Sequence, residues 1–232
     1  MHSFARIPAA LAAGWFALTA MTSPTLESEV LARINHARQH PQDYARELRE
    51  YRSHIRGGIL YLPGDANGII TREGRASVDE AIDFLEAMAP LPPLSMAEVL
   101  AMAARDHADE QGYSGGFGHV SDDGASPGER VRRRGGDIYV GESISYGFDD
   151  PDAVVRQLVI DDGVPDRGHR KLLFARDFRY AGVGCAAHRR TRYLCVIDLS
   201  GTADGTAPLP AIASTRGAQV FRFGERRAAE VR

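Results

Sequence analysis

The chain has 232 residues, a formal net charge of -3, and ordinary hydrophobic (44%) and charged (25%) fractions. That length suits one sizeable core and is short for two. The near-neutral balance gives no reason to expect nucleic acid or a strongly charged partner, and no nucleic acid is expected.

In chain order, the N-terminus reads as a targeting segment. Arg6 supplies positive charge, Ile7 to Met21 is apolar apart from Thr19, and small residues follow at Thr22 and Ser23. The run is short for a bilayer span and has the length of a signal-peptide core. Residues 1–22 are expected to be removed from an exported protein, secreted or held in the periplasm or cell envelope. An uncleaved anchor is the competing reading. No other segment is apolar enough to cross a membrane, so the mature protein is expected to have no integral membrane segment.

A helix is predicted from near Thr25, with Ser23 as cap and Pro24 in its first turn. Val30, Ile34 and Ala37 form its apolar stripe. His40-Pro41 breaks it, because the residue before proline avoids the helical region. A second helix carries Tyr44, Leu48 and Tyr51 on one side. From Gly57 to Arg75 the turn signals Gly57-Gly58, Pro63-Gly64 and Asn67-Gly68 interrupt the pattern. Ile59-Leu60-Tyr61 and Ile69-Ile70 can pair there as a hairpin. Ser77 and Glu80 read as a capping box ahead of Val78, Ile82 and Leu85, and Pro90, Pro92 and Pro93 end that segment.

The next helix is predicted over Ser95 to Gln111. Ser95 is its cap, Glu98 completes the box, Leu94 staples onto Val99, and Gly112 is the stop. Leu100, Ala104 and His107 share its inner face, with His107 expected as a hydrogen-bonded packing residue. The arginine cluster from Arg130 to Arg134 reads as a solvated helix face. Asp150-Pro151 opens another helix, in which Val154, Leu158 and Asp161 share a face. An acid there is costly twice, since it points inward and stands at the negative end of the helix dipole. That makes Asp161 a functional candidate, although Asp162 is equally placed to be a plain solvated acid.

Tyr180 to Ala187 and Arg192 to Leu199 alternate as paired strands. A three-residue loop at Arg189 to Thr191 makes Cys185 and Cys195 direct cross-strand neighbours. A disulfide between them suits an exported chain. From Thr202 onward the sequence reads as a poorly packed tail.

The chemistry narrows by elimination. No H-E-x-x-H and no C-x-x-C occurs, and Gly141-Glu142-Ser143-Ile144-Ser145 lacks the final glycine of a nucleophile elbow. What remains are histidines and acids in polar loops: His119 after Gly118, Glu142 after Gly141, Asp161, and His169 after Gly168. Imidazoles and carboxylates move protons near neutral pH and hold divalent metals.

At these residues the chain resembles a known family. Leu31 to Arg38, Pro93-Leu94 with the helix after it, Gly118-His119 to Gly124, and Pro127-Gly128-Glu129-Arg130-Val131 are similar, in order, to segments of the CAP superfamily. That superfamily comprises cysteine-rich secretory, antigen 5 and pathogenesis-related 1 proteins, and its domain is also called SCP. Gly141-Glu142-Ser143-Ile144 resembles its Gly-Glu-Asn motif, with Ser143 in the usual Asn place. Arg167-Gly168-His169-Arg170 resembles its second histidine motif, and the likeness is nearest to the bacterial exported branch.

The resemblance covers about residues 25 to 200. It implies an α+β fold, a three-layer α-β-α sandwich with a central, mostly antiparallel sheet. It implies a cleft tetrad of His119, Glu142, Asp161 and His169, with Asp161 standing where the family has Glu in a Trp-x-x-Glu helix. The segment from about 51 to 90 has no counterpart in the compact family core and reads as an insertion.

Three functions stay open at this stage. The first is an exported binding domain in which His119 and His169 hold zinc or another divalent cation beside a small-molecule, lipid or cell-envelope ligand, as similar family members bind metals, sterols or lipids. The second is a hydrolase, a peptidase or cell-wall enzyme, with Glu142 and Asp161 as candidate catalytic acids. The third is a non-catalytic structural or interaction domain.

Overall fold

The computed structural model describes residues 24–64 and 67–207. The expected signal peptide and residues 208–232 of the expected tail lie outside these.

The chain begins with α1 (Leu26–Gln39) and α2 (Pro41–Ser53). The cap of α1 is Thr25, whose hydroxyl accepts from the Ser28 amide at 3.3 Å, two residues nearer the helix than the expected Ser23. Val30, Ile34 and Ala37 are buried, as are Tyr44 and Leu48 on α2.

The segment read from sequence as an insertion then folds as three two-residue strands, β1 (Ile55–Arg56), β2 (Ile59–Leu60) and β3 (Ile69–Ile70), followed by α3 (Ala76–Ala87). The expected hairpin is there, with Ile59 opposite Ile70 and Leu60 opposite Ile69, and β1 adds a third strand. The expected capping box is not. Ser77 is buried and donates to Asp162 at 3.2 Å, while Glu80 pairs with Arg167 and Arg170, so tertiary partners have taken both side chains.

The main sheet holds β4 (Ser95–Met96), β5 (Val140–Tyr146), β6 (Tyr180–His188) and β7 (Arg192–Ser200) in the order β4-β6-β7-β5. Only the β4–β6 pairing is parallel. Ser95 therefore starts no helix. Its amide donates to the Arg179 carbonyl at 2.8 Å as part of β4. Helix α4 (Glu98–Ser114) begins three residues later. It also runs past Gly112, which packs against the Ala187 carbonyl, and ends at Gly115 in the left-handed region. The expected staple does not form, because Leu94 and Val99 pack into different clusters. The remaining helices are α5 (Pro127–Arg133), α6 (Pro151–Ile160) and α7 (Gly168–Leu173).

Helices cover both faces of this sheet. Along β7, Cys195, Ile197 and Leu199 join the cluster under α1, α2, α3 and α6. Leu194 and Val196 point the other way, to Ala104 and Ala108 of α4. This alternation separates the two cores and places α4 and α5 opposite α1 and α6. On β6 the residues facing α4 include Gly182 and Gly184. A Cβ on Gly182 would stand 2.1 Å from the Ala101 amide nitrogen, and one on Gly184 2.3 Å from that of Arg105. The α4 backbone thus lies directly on the sheet.

Cys185 and Cys195 are opposite one another in the β6–β7 register and are joined as a disulfide. Closing so short a loop contributes roughly 2–3 kcal/mol by restricting the unfolded chain. Thr202 to Gly205, assigned to the tail by sequence, pack instead. The Asp204 carbonyl accepts from the Asp137 amide at 2.8 Å, and Gly205 is buried against Val131 and Val140.

Candidate functional site: two histidine–carboxylate pairs on one cavity

His119 lies in the loop between α4 and α5, and its backbone is tied on both sides. The Gly118 amide donates to the Tyr146 hydroxyl at 3.0 Å. The Gly118 carbonyl faces His107 Nε2 at 2.9 Å and accepts from Gln111 at 2.6 Å. The His119 carbonyl accepts from Arg130 at 3.0 Å. His107 is thus the buried, hydrogen-bonded residue expected from its helical face, and it also supports the loop. With its backbone fixed, His119 directs Nδ1 to Glu142 Oε1 at 2.8 Å. Its side chain remains half exposed, whereas that of Glu142 is 1% exposed.

Glu142 comes from β5. The strand period puts Glu142, Ile144 and Tyr146 on one face, which is why Tyr146 and Glu142 serve the same loop. Glu142's second oxygen pairs with Arg130. Arg130 is the main correction to the sequence reading. It is buried, not solvated, and it also donates to Ser121 Oγ at 3.2 Å and the Ala125 carbonyl at 3.1 Å. Helix α5 presents it through the turn that carries buried Gly128 and Val131, with a Ser126–Glu129 capping box fixing the entry. Arg132, Arg133 and Arg134 of the same cluster are on the solvated face as expected.

The second pair is built from the α6–α7 connection. Asp161 follows α6 as its C-cap, in the left-handed conformation (φ 59°). Its carboxylate accepts from His169 Nδ1 at 2.7 Å, from the His169 amide at 3.0 Å and from the Arg170 amide at 3.3 Å. The two costs read from the sequence are offset by these donors: the acid at the wrong end of α6 stands at the right end of α7.

Asp162, equally placed by sequence, does something else. It accepts from the Arg72 and Glu73 amides at 2.7 and 2.8 Å and so fastens the insertion to this connection. Arg167 adds to the clamp with bonds to Glu73, Glu80 and the carbonyls of Asp161 and Val164. The hydrogen bonds from Arg167, with one from the Gly163 amide, hold the Glu73 carboxyl down at about 2.

A depressed carboxyl contributes stability above its unfolded value near 4 and loses it as pH falls through its folded value. The wild type should therefore lose stability between about pH 4 and 2. Arg167→Met should flatten that slope and cost roughly 1–2 kcal/mol at neutral pH, a figure kept low because both acids are partly exposed. Urea denaturation at several pH values checks this, and an unchanged slope would contradict the clamp.

The two histidines line the same cavity of about 630 Å³. One of its walls is the insertion, through Leu60, Leu62, Ile69 and Ile70, and Arg156 and Phe148 stand on another. Each imidazole spends Nδ1 on its carboxylate, and neither Nε2 bonds to any described residue. Both rings are thereby oriented with one nitrogen left for a ligand. Among the described residues no three His, Cys, Asp or Glu side chains gather as a metal-holding group. A cation at the two imidazoles would take its remaining ligands from water or a bound molecule.

Sequence reasoning missed four supports of this site: Gln111, Tyr146, Arg130 and Asp198. Asp198 of β7 lies directly across from Glu142 in the strand register and is fully buried. The strand period of β5 was the one available signal, for Tyr146.

The molecule is a sheet covered by helices on both faces, with two histidine–acid pairs opening on one cavity. The chain belongs to the CAP, or cysteine-rich secretory protein, family, whose model matches residues 31–199. Among curated proteins none matches. Two solved structures are similar over part of the chain. An extracellular protein containing an SCP domain from Bacillus anthracis str. Ames is 26% identical, over 46% of this chain and 34% of that one, with a TM-score of 0.38. An outer surface protein from Borrelia burgdorferi is 18% identical, over 47% of this chain and 77% of that one, with a TM-score of 0.39. The chain spans about a third of the length of the Bacillus anthracis protein. Among the described residues no helix is long and apolar enough to cross a membrane.

Proposed function

We propose that this chain is an exported binding domain whose cleft holds a divalent cation on His119 and His169 and takes a small or lipidic ligand beside it. One observation carries the reading: both imidazoles face one cavity with Nδ1 on a buried carboxylate and Nε2 free. Histidines that ligate metals are oriented in this way by carboxylates behind them, and neutral imidazoles suit zinc. A bound zinc would supply a Lewis acid at the cavity wall. Glu142 and Asp161 keep the rings oriented, and Ile69, Ile70, Leu60 and Phe148 offer apolar surface to the organic part of a ligand. Export is supported by the Cys185–Cys195 disulfide and by the charged-then-apolar N-terminus.

Titration calorimetry tests the reading. Zinc binding is expected for the wild type, sharply weakened in His119→Ala or His169→Ala and absent when both are replaced. Asp161→Asn should lower affinity about 10–100-fold, the usual cost of losing a group behind a ligand. Equal binding by the wild type and the double-histidine variant would overturn it.

The same pairs support a second reading, a hydrolase in which a carboxylate-oriented imidazole activates water. Peptide or cell-wall turnover that disappears in Glu142→Gln would favour that reading over binding alone. A purely structural role fits poorly with a His119 side chain that stays half exposed on the cavity.

A further inference from the structure

Behind Glu142 lies a carboxyl group that no part of the histidine–acid tetrad accounts for. Asp198 is 0% exposed, and neither of its oxygens meets a hydrogen-bond donor among the described residues. Its cross-strand partners are Glu142 on β5 and Gly182 on β6. At Gly182 the Leu100–Ala101 backbone of α4 presses directly on the sheet. The charged groups that act on Asp198 are Glu142 from β5 and Arg130 from α5. Arg130 is already committed to Glu142 and to the loop carbonyls.

An ionised carboxylate in such a place would be a buried charge with no donor of its own, beside a second anion. A carboxylic acid there needs only an acceptor, and Glu142 is one. We propose that Asp198 is kept as a neutral acid that donates its hydrogen to the Glu142 carboxylate. The two carboxyls then carry one negative charge between them, balanced by Arg130. Asp198 is thus a positioning residue. It acts on His119 only through Glu142, by holding that carboxylate in place to accept from Nδ1. Burial, with the neighbouring Glu142 charge second, also pushes the Asp198 carboxyl well above the ordinary range. This inference concerns the metal-free protein and stands whether or not the cleft takes zinc.

The sign of its pH dependence is fixed. A carboxyl whose folded value is raised stabilises the fold fully below its unfolded value near 4 and progressively costs stability as pH rises toward the folded value. Replacing Asp198→Asn keeps a donor and removes the proton cost. The melting temperature of that variant should match the wild type near pH 4 and exceed it by a growing margin up to pH 8.

Two measurements on metal-free protein decide the matter. In carbon NMR, the Asp198 side-chain carboxyl, assigned through its own backbone amide so that no variant is needed, should keep the shift of a protonated acid through neutral pH. The melting temperatures of the wild type and Asp198→Asn, measured on these samples from pH 4 to 8, should diverge as pH rises. Melting temperatures that stay parallel over that range would show that Asp198 ionises in the fold as it does in the unfolded chain, and an Asp198 carboxyl that ionises with the exposed aspartates would show the same. Either result overturns the proposal. Zinc calorimetry on the same samples keeps the question of the metal separate.

Discussion

Arg130→Met is expected to destabilise the protein by about 3–5 kcal/mol, the usual cost of breaking a buried ion pair from one side. Arg130 is 3% exposed and spans three things at once: the Glu142 carboxylate, the His119 carbonyl and the Ser121–Ala125 turn. Methionine fills the space and returns none of the donors, so Glu142 is left as a buried anion beside Asp198. The loss should be visible in urea denaturation, and His119 should lose its fixed orientation in the same variant. A variant within about 0.5 kcal/mol of the wild type, the range of ordinary surface substitutions, would show that Arg130 is a solvated residue after all.

Gly182→Ala is expected to cost at least about 3 kcal/mol, the upper end for overpacking, because the added carbon meets backbone and not a movable side chain. It would stand 2.1 Å from the Ala101 nitrogen and 2.2 Å from the Leu100 carbonyl carbon. Helix α4 must lift from the sheet to admit it, and α4 carries His107 and Gln111, which hold the His119 loop. A fall in melting temperature of roughly 6–12 °C corresponds to that loss in a domain of this size. Gly168→Ala, whose Cβ would meet nothing nearer than 3.6 Å, is the control and should change little. Equal melting temperatures for the two variants would contradict the close approach of α4.

The elements that sequence located best were those whose signal is local and repeated. The stripe Val30, Ile34, Ala37 and the alternation on β6 and β7 survive unchanged, because burial on one face leaves a periodic trace. The three-residue loop at Arg189 to Thr191 set the register that joins Cys185 to Cys195 for the same reason. Capping was read less well. Ser95 and Ser77 both look like helix starts, yet one belongs to a parallel strand and the other bonds Asp162 from 85 residues away. A hydroxyl near a helix start carries no record of which long-range partner will claim it.

The site divides along the same line. Motif likeness picked out His119, Glu142, Asp161 and His169, and the fold pairs them as His119–Glu142 and His169–Asp161. The polar groups behind them left no motif. Arg130 is hidden in a run of arginines, and Asp198 sits in an otherwise apolar strand, where only its neighbour across the sheet gives it meaning. Asp161 and Asp162 are chemically alike and adjacent, yet across the turn at φ 59° one meets the histidine and the other the amides of Arg72 and Glu73.

In the proposed function the two imidazoles bind one cation through their free nitrogens. Anomalous X-ray diffraction at the zinc edge, from crystals grown with zinc, tests it most directly. The expected result is a single peak in the cavity, about 2.0–2.1 Å from Nε2 of both His119 and His169, with Glu142 and Asp161 still on the Nδ1 atoms. No peak at the histidines, or a metal bound by the carboxylates with the imidazoles turned away, would contradict it.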